Sequence, residues 1–180
     1  MRRPSFSLLR KFGADTRGLA AIEFALILPF MAILYFGAIE TSLVISADRK
    51  VTETASSLAD LVARTDTIDA DEIADVFDAA RAMFEPYAVD GVEMRVTSII
   101  DDSGVSRVDW SKAKNLDPLR MGDKVKLEPG IMPTGGSVIM AEISYNYKSS
   151  LGFFLKDGIV LHQTFYLRPR MSDQVTWSGA

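Results

Sequence analysis

A chain of 180 residues, 48% hydrophobic and 24% charged, has room for one compact domain and an accessory segment, and not for two full domains. Its net charge of -4 divides unevenly: Arg2, Arg3, Arg10, Lys11 and Arg17 stand against Asp15 before Leu19, leaving 15 of the 20 basic and 23 of the 24 acidic residues to the remainder. A basic head on an acidic body argues against nucleic-acid binding, because the body gathers no positive stripe to meet phosphates. The lack of cysteine excludes disulfide frameworks, thiol catalysis and zinc-thiolate sites.

From Phe24 to Ile39 the chain reads FALILPFMAILYFGAI, sixteen residues without a charge, and apolar character resumes in SLVIS beyond Glu40 and Thr41. Taken as one helix, Leu19 to Ile45 spans about 40 Å at about 1.5 Å per residue, more than the roughly 30 Å of a hydrocarbon core. A cleaved secretory signal would carry the same basic head. Its apolar region would be too long here, and the best small-x-small pair, Ile45 and Ala47, is a poor one. With basic residues before the span and acidic ones after it, residues 1–18 are expected in the cytoplasm, 19–45 in the membrane and 46–180 outside. Pro29 removes one backbone hydrogen bond and favours a kink, which membrane helices tolerate.

Beyond the span, Val51, Ala55, Leu58 and Val62 fall at i, i+4, i+7 and i+11, so the same helix is expected to continue as a stem to about Arg64. Asp69, with Glu72 three residues on, reads as a capping box. It opens a second, amphipathic helix carrying Ile73, Val76, Phe77, Ala80 and Phe84 and ending before Pro86. Strands follow. Val92, Met94, Val96 and Ile100 share one parity, Asp101-Asp102-Ser103-Gly104 makes a turn, and Val105 to Trp110 returns. Ile139 to Tyr147 and Ile159 to Leu167 alternate in the same way, while Ser111 to Gly136 reads as loop with one short strand, KVKLE. The expected fold class is α+β: a long N-terminal transmembrane helix running into a small external domain with a second helix and an antiparallel sheet.

No enzyme signature emerges, and neither a catalytic residue, a metal site nor a cofactor is expected. His162 is the single histidine and sits in a strand pattern. Asp66, Asp69, Asp71 and Asp75 lack the glycine and twelfth-position glutamate of a calcium loop. Pro133-Thr134-Gly135-Gly136-Ser137 lacks the lysine of a phosphate loop and leads into a strand. Trp110, Tyr145 and Tyr147 suit sheet packing better than an interaction face.

One glutamate stands inside the apolar run. A carboxylate at the centre of a bilayer costs on the order of 3 kcal/mol, so Glu23 asks for a reason. Gly18 followed by LAAIEF sets Glu23 at the fifth position after glycine and Phe24 at the sixth, which resembles the processing site of type IV-like prepilins. More narrowly, DTRGLAAIEFALILPF, continuing through SADRKVTETASSLADLV and returning in FYLRPRMSDQV, resembles the TadE/TadG-like family of the tight-adherence (Tad, Flp) pilus assembly system. The likeness is good over residues 13 to 62, moderate in the tail and weak between, and the length fits the short TadE-like form.

The resemblance implies a minor pseudopilin in the bacterial inner membrane that assists assembly of a Tad/Flp-type pilus. Its partners would be a prepilin peptidase and other pilin-like and Tad assembly proteins. The peptidase would cut between Gly18 and Leu19, making residues 1–18 a leader, with Glu23 and Phe24 as recognition and docking elements. Glu23 would then lie in the first turns of the mature helix, where the positive end of the helix dipole favours a carboxylate and the free amine of a neighbouring subunit's first residue could pair with it. A solvated, unpartnered interfacial glutamate is the alternative. For the chain as a whole, the alternative is a membrane-anchored periplasmic binding or envelope-structure protein unrelated to pili.

Overall fold

The computed structural model describes residues 17–179, so all of the basic segment before Arg17 lies outside the described residues. The first element, α1 (Arg17–Ala63), is one α-helix of 47 residues with Pro29 inside it, about 70 Å long at about 1.5 Å per residue. Its two halves have opposite surroundings. From Gly18 to Met31 every residue is exposed, whereas Ala47, Val51, Ala55, Leu58, Ala59 and Val62 are wholly buried along one stripe. The expected stem is therefore present and stops one residue short of Arg64. Three small alanines on the stripe let the helix backbone lie close against the sheet beneath it.

The helix end is closed by the chain's own tail. Thr65 donates its backbone N–H and its hydroxyl to the Val62 carbonyl, and the Arg170 N–H donates to the Ala63 carbonyl at 2.8 Å. The Arg170 guanidinium also reaches the Asp60 carboxylate at 2.8 Å. Carbonyls left without an intrahelical partner at the helix terminus are thus satisfied. Two residues of β1 (Thr67–Ile68) pair in parallel with two of β6 (Thr176–Trp177), which the sequence reading did not anticipate. The tail is fixed further where Trp110 Nε1 donates to the Val175 carbonyl at 2.8 Å.

The second helix, α2 (Ala70–Met83), begins at the expected capping box. Asp69 Oδ1 accepts from the Asp71 and Glu72 N–H groups, and Glu72 Oε2 accepts from the Asp69 N–H at 3.0 Å. Ile73, Phe77 and Ala80 are buried, as is Phe84 at its C-cap. On the exposed side Lys114 donates to Asp78 and ties α2 to the sheet. That hydrogen bond, reinforced by the lysine charge, holds the Asp78 carboxyl below its ordinary range.

Four antiparallel strands form the sheet: β2 (Val92–Asp102), β3 (Val105–Lys114), β4 (Ser137–Tyr147) and β5 (Ile159–Leu167), in the order β3-β2-β4-β5. The β2–β3 hairpin turns through Ser103 and Gly104, both at positive φ (56° and 87°), the geometry that a two-residue hairpin requires. A bulge between Ser98 and Ile99 shifts the register against β3.

Val92, Met94, Val96, Trp110, Ile139, Ala141, Ile143 and Leu161 face the two helices and make the main core. Phe84, Tyr87, Tyr145 and Tyr147 cluster at one end of it, Phe84 lying edge-on to Tyr145 at 4.8 Å. Burial pushes both the Tyr145 and the Tyr147 hydroxyls up from their ordinary pKa. Trp110, Tyr145 and Tyr147 are thus core residues. The expected KVKLE strand is not formed: the segment meets β3 at a single bridge, Arg107 with Lys124, and by the hydrogen bond from Val125 N–H to the Ser106 carbonyl.

Candidate functional site

The residues singled out by the sequence stand together at the start of α1. Gly18, Leu19, Glu23 and Phe24 are all helical and exposed, Leu19 and Phe24 to 58% and 65%. A carboxylate one turn from Leu19 and an aromatic ring beside it are therefore presented outward, where a second helix could meet them. The helix carrying them is, among the described residues, the one long and apolar enough to cross a membrane.

A second carboxylate on the same helix is arranged in the opposite way, and sequence reasoning passed over it. Glu40, where the uncharged run ends, is 2% exposed. Its Oε1 accepts from the Phe153 N–H at 3.2 Å and its Oε2 from the Phe154 N–H at 2.8 Å, across 113 and 114 residues of chain. A buried carboxylate needs its oxygens engaged in this way. The carboxylate thereby pins the β4–β5 loop against the apolar helix. Below it Phe153 stacks on Phe36 with ring centroids 4.8 Å apart, and the Phe154 ring lies over Gly37. Between helix and loop runs an apolar groove of about 620 Å³, lined by Ile33, Leu34, Ala38, Val44 and Leu155 among others.

The loop is brought there by turn chemistry. Ser149 Oγ accepts from the Leu151 and Gly152 N–H groups, and Gly158 closes the loop at φ 79°, where an added Cβ would lie 2.8 Å from the Tyr147 carbonyl oxygen. The signal available in the sequence was a lone glutamate at the edge of the apolar run together with an apolar LGFFL in a loop; their contact depends on sheet geometry.

The remaining candidates fall where a structural role puts them. His162 is exposed on β5 with Nε2 3.3 Å from Thr164 Oγ1. Asp69 is a helix cap, and Pro133 to Gly136 form a turn leading into β4, with Gly135 N–H donating to Asp101. Among the described residues no group of three or more histidines or carboxylates is placed to hold a metal.

Fold and site together define a class of protein whose apolar helix, the first among the described elements, is both long and apolar enough to cross a membrane and the spine of an α+β domain. Residues 18–60 match the family described as TadE-like protein, which bears out the resemblance over the stretch containing Gly18, Glu23, Phe24 and most of the stem. The match covers 43 of the 180 residues. No curated protein and no solved structure matches the chain.

Proposed function

We propose that the chain is a minor pseudopilin assisting assembly of a Tad/Flp-type pilus. In this reading it is anchored in the bacterial inner membrane with residues 1–18 cytoplasmic and 46–180 periplasmic. The observation that carries the reading is the coincidence of the TadE-like match with α1, whose first half presents Leu19, Glu23 and Phe24 outward while its second half is built into the domain. The exposed half serves as membrane anchor and assembly surface, and the domain meets partners outside. Deleting the gene in its native host should abolish or sharply reduce surface pili counted by electron microscopy, with recovery on complementation. Normal piliation in the deletion strain would instead leave an anchored envelope protein unrelated to pili.

Processing belongs to the same reading: a prepilin peptidase removes residues 1–18, freeing the amine of Leu19. The intact mass of chain extracted from membranes that also contain its native peptidase should be that of residues 19–180. Because such a peptidase cuts on the cytoplasmic side, this mass also reports the orientation. A mature species that keeps Met1 to Gly18 would defeat the proposed cut.

A further inference from the structure

The membrane helix is not the chain's sole apolar surface at that level. Leu151, Phe153 and Phe154 are 40%, 55% and 57% exposed although they sit in a loop of the external domain. Their height along α1 is fixed by the Glu40 hydrogen bonds and by the stacking of Phe153 on Phe36. From Leu19 to Glu40 the helix rises about 32 Å, close to the roughly 30 Å of a hydrocarbon core. With the span beginning at Leu19, Phe36 and Gly37 lie just inside the far boundary and Glu40 lies at it.

We propose that the Leu151–Leu155 loop dips into the outer-leaflet interface of the bilayer that α1 crosses, giving the chain a second lipid contact besides the helix. This rests on the membrane-anchored reading above. Three further features fit lipid as the occupant. Lys148 and Lys156 flank the apolar stretch and are exposed, so their ammonium groups can reach the headgroups while their stems lie along the acyl boundary. The Phe153 and Phe154 N–H groups, which would be costly to bring toward hydrocarbon unpaired, are already taken by Glu40. Tyr35, exposed on the helix at the same height, supplies an aromatic of the kind that collects at membrane interfaces.

The absence of cysteine makes the test direct. Single replacements Phe154→Cys, Leu151→Cys, Leu26→Cys and Met121→Cys in the full chain, each carrying a nitroxide, are reconstituted in phosphatidylethanolamine/phosphatidylglycerol vesicles. Collision with oxygen is compared with collision with a water-soluble nickel chelate. Met121, 77% exposed in the loop between β3 and β4, gives the aqueous reference, and Leu26 the deep one. At 154 and 151 the oxygen-to-nickel ratio should exceed that at Met121 several-fold and fall below that at Leu26. Two independent loop positions, with circular dichroism for each, keep the result readable should one variant misfold.

Aqueous ratios at both loop positions with a deep Leu26 overturn the loop insertion alone. An aqueous Leu26 overturns the membrane reading itself. Labels at 154 and 151 shielded from both reagents, and released on dilution of the protein in lipid, identify a second copy as the occupant and also overturn the proposal.

Discussion

Glu23→Ala is expected to leave the chain in the membrane and to lower surface pili several-fold below wild type at matched protein levels. Insertion should not suffer, since removing a carboxylate eases transfer by up to about 3 kcal/mol at the bilayer centre and less toward its edge. Assembly should suffer because Glu23 stands outward on α1 and, in the proposed function, meets the free amine of Leu19 on a neighbouring subunit. That pair would fix helix register where lipid provides no other directional contact. The measurement is pilus count in the deletion strain complemented with wild type or variant, with membrane fractions blotted in parallel. Wild-type pilus numbers in the variant would eliminate the pairing role and return Glu23 to a solvated interfacial position.

The largest effect on stability should come from Phe84→Ala. Phe84 is wholly buried where α2 ends, edge-on to Tyr145 and beside Tyr87, so its truncation removes packing from both the helix and the sheet at once. Such truncations cost about 3–5 kcal/mol, against a total of about 5–15 kcal/mol for a domain. Denaturant titration of the detergent-solubilised chain, followed by the fluorescence of Trp110 and Trp177, should show the midpoint fall by about a fifth or more. Met121→Ala, on an exposed loop residue, should stay within about 0.5 kcal/mol of wild type. A Phe84→Ala loss below about 1 kcal/mol would mean that the cluster collapses around the gap or is not part of the cooperative unit.

Elements with a strong local pattern were legible in the sequence. The stripe of Val51, Ala55, Leu58 and Val62 foretold a helix running past the membrane, because burial on one side of a helix writes a 3.6-residue period whatever lies at its other end. Asp69 and Glu72 announced α2 because a capping box is closed within four residues. The β1–β6 pair was not legible: two residues per strand carry no period, and the pairing joins segments more than a hundred residues apart. KVKLE had the alternation of a strand, but alternation does not say whether a neighbour runs alongside, and of its residues only Lys124 and Val125 reach β3.

The candidate site divides in the same way. Gly18, Leu19, Glu23 and Phe24 were singled out by their resemblance to a prepilin processing site, and their exposure leaves their purpose to groups beyond the chain. Glu40 was passed over because what distinguishes it from Glu23 is the β4–β5 loop, which reaches it from 113 and 114 residues further along the chain.

The continuity of α1 has a mechanical consequence. With no linker between the span and the buried stripe, and with Arg170 and Asp60 clamping the far end, the anchor and the domain share one axis. A tilt of a few degrees at the start of the helix would displace the distal end of a rod about 70 Å long by several ångströms. The molecule is a lever whose arm runs unbroken past Pro29, so whatever grips its first turns also moves the surface that the domain shows.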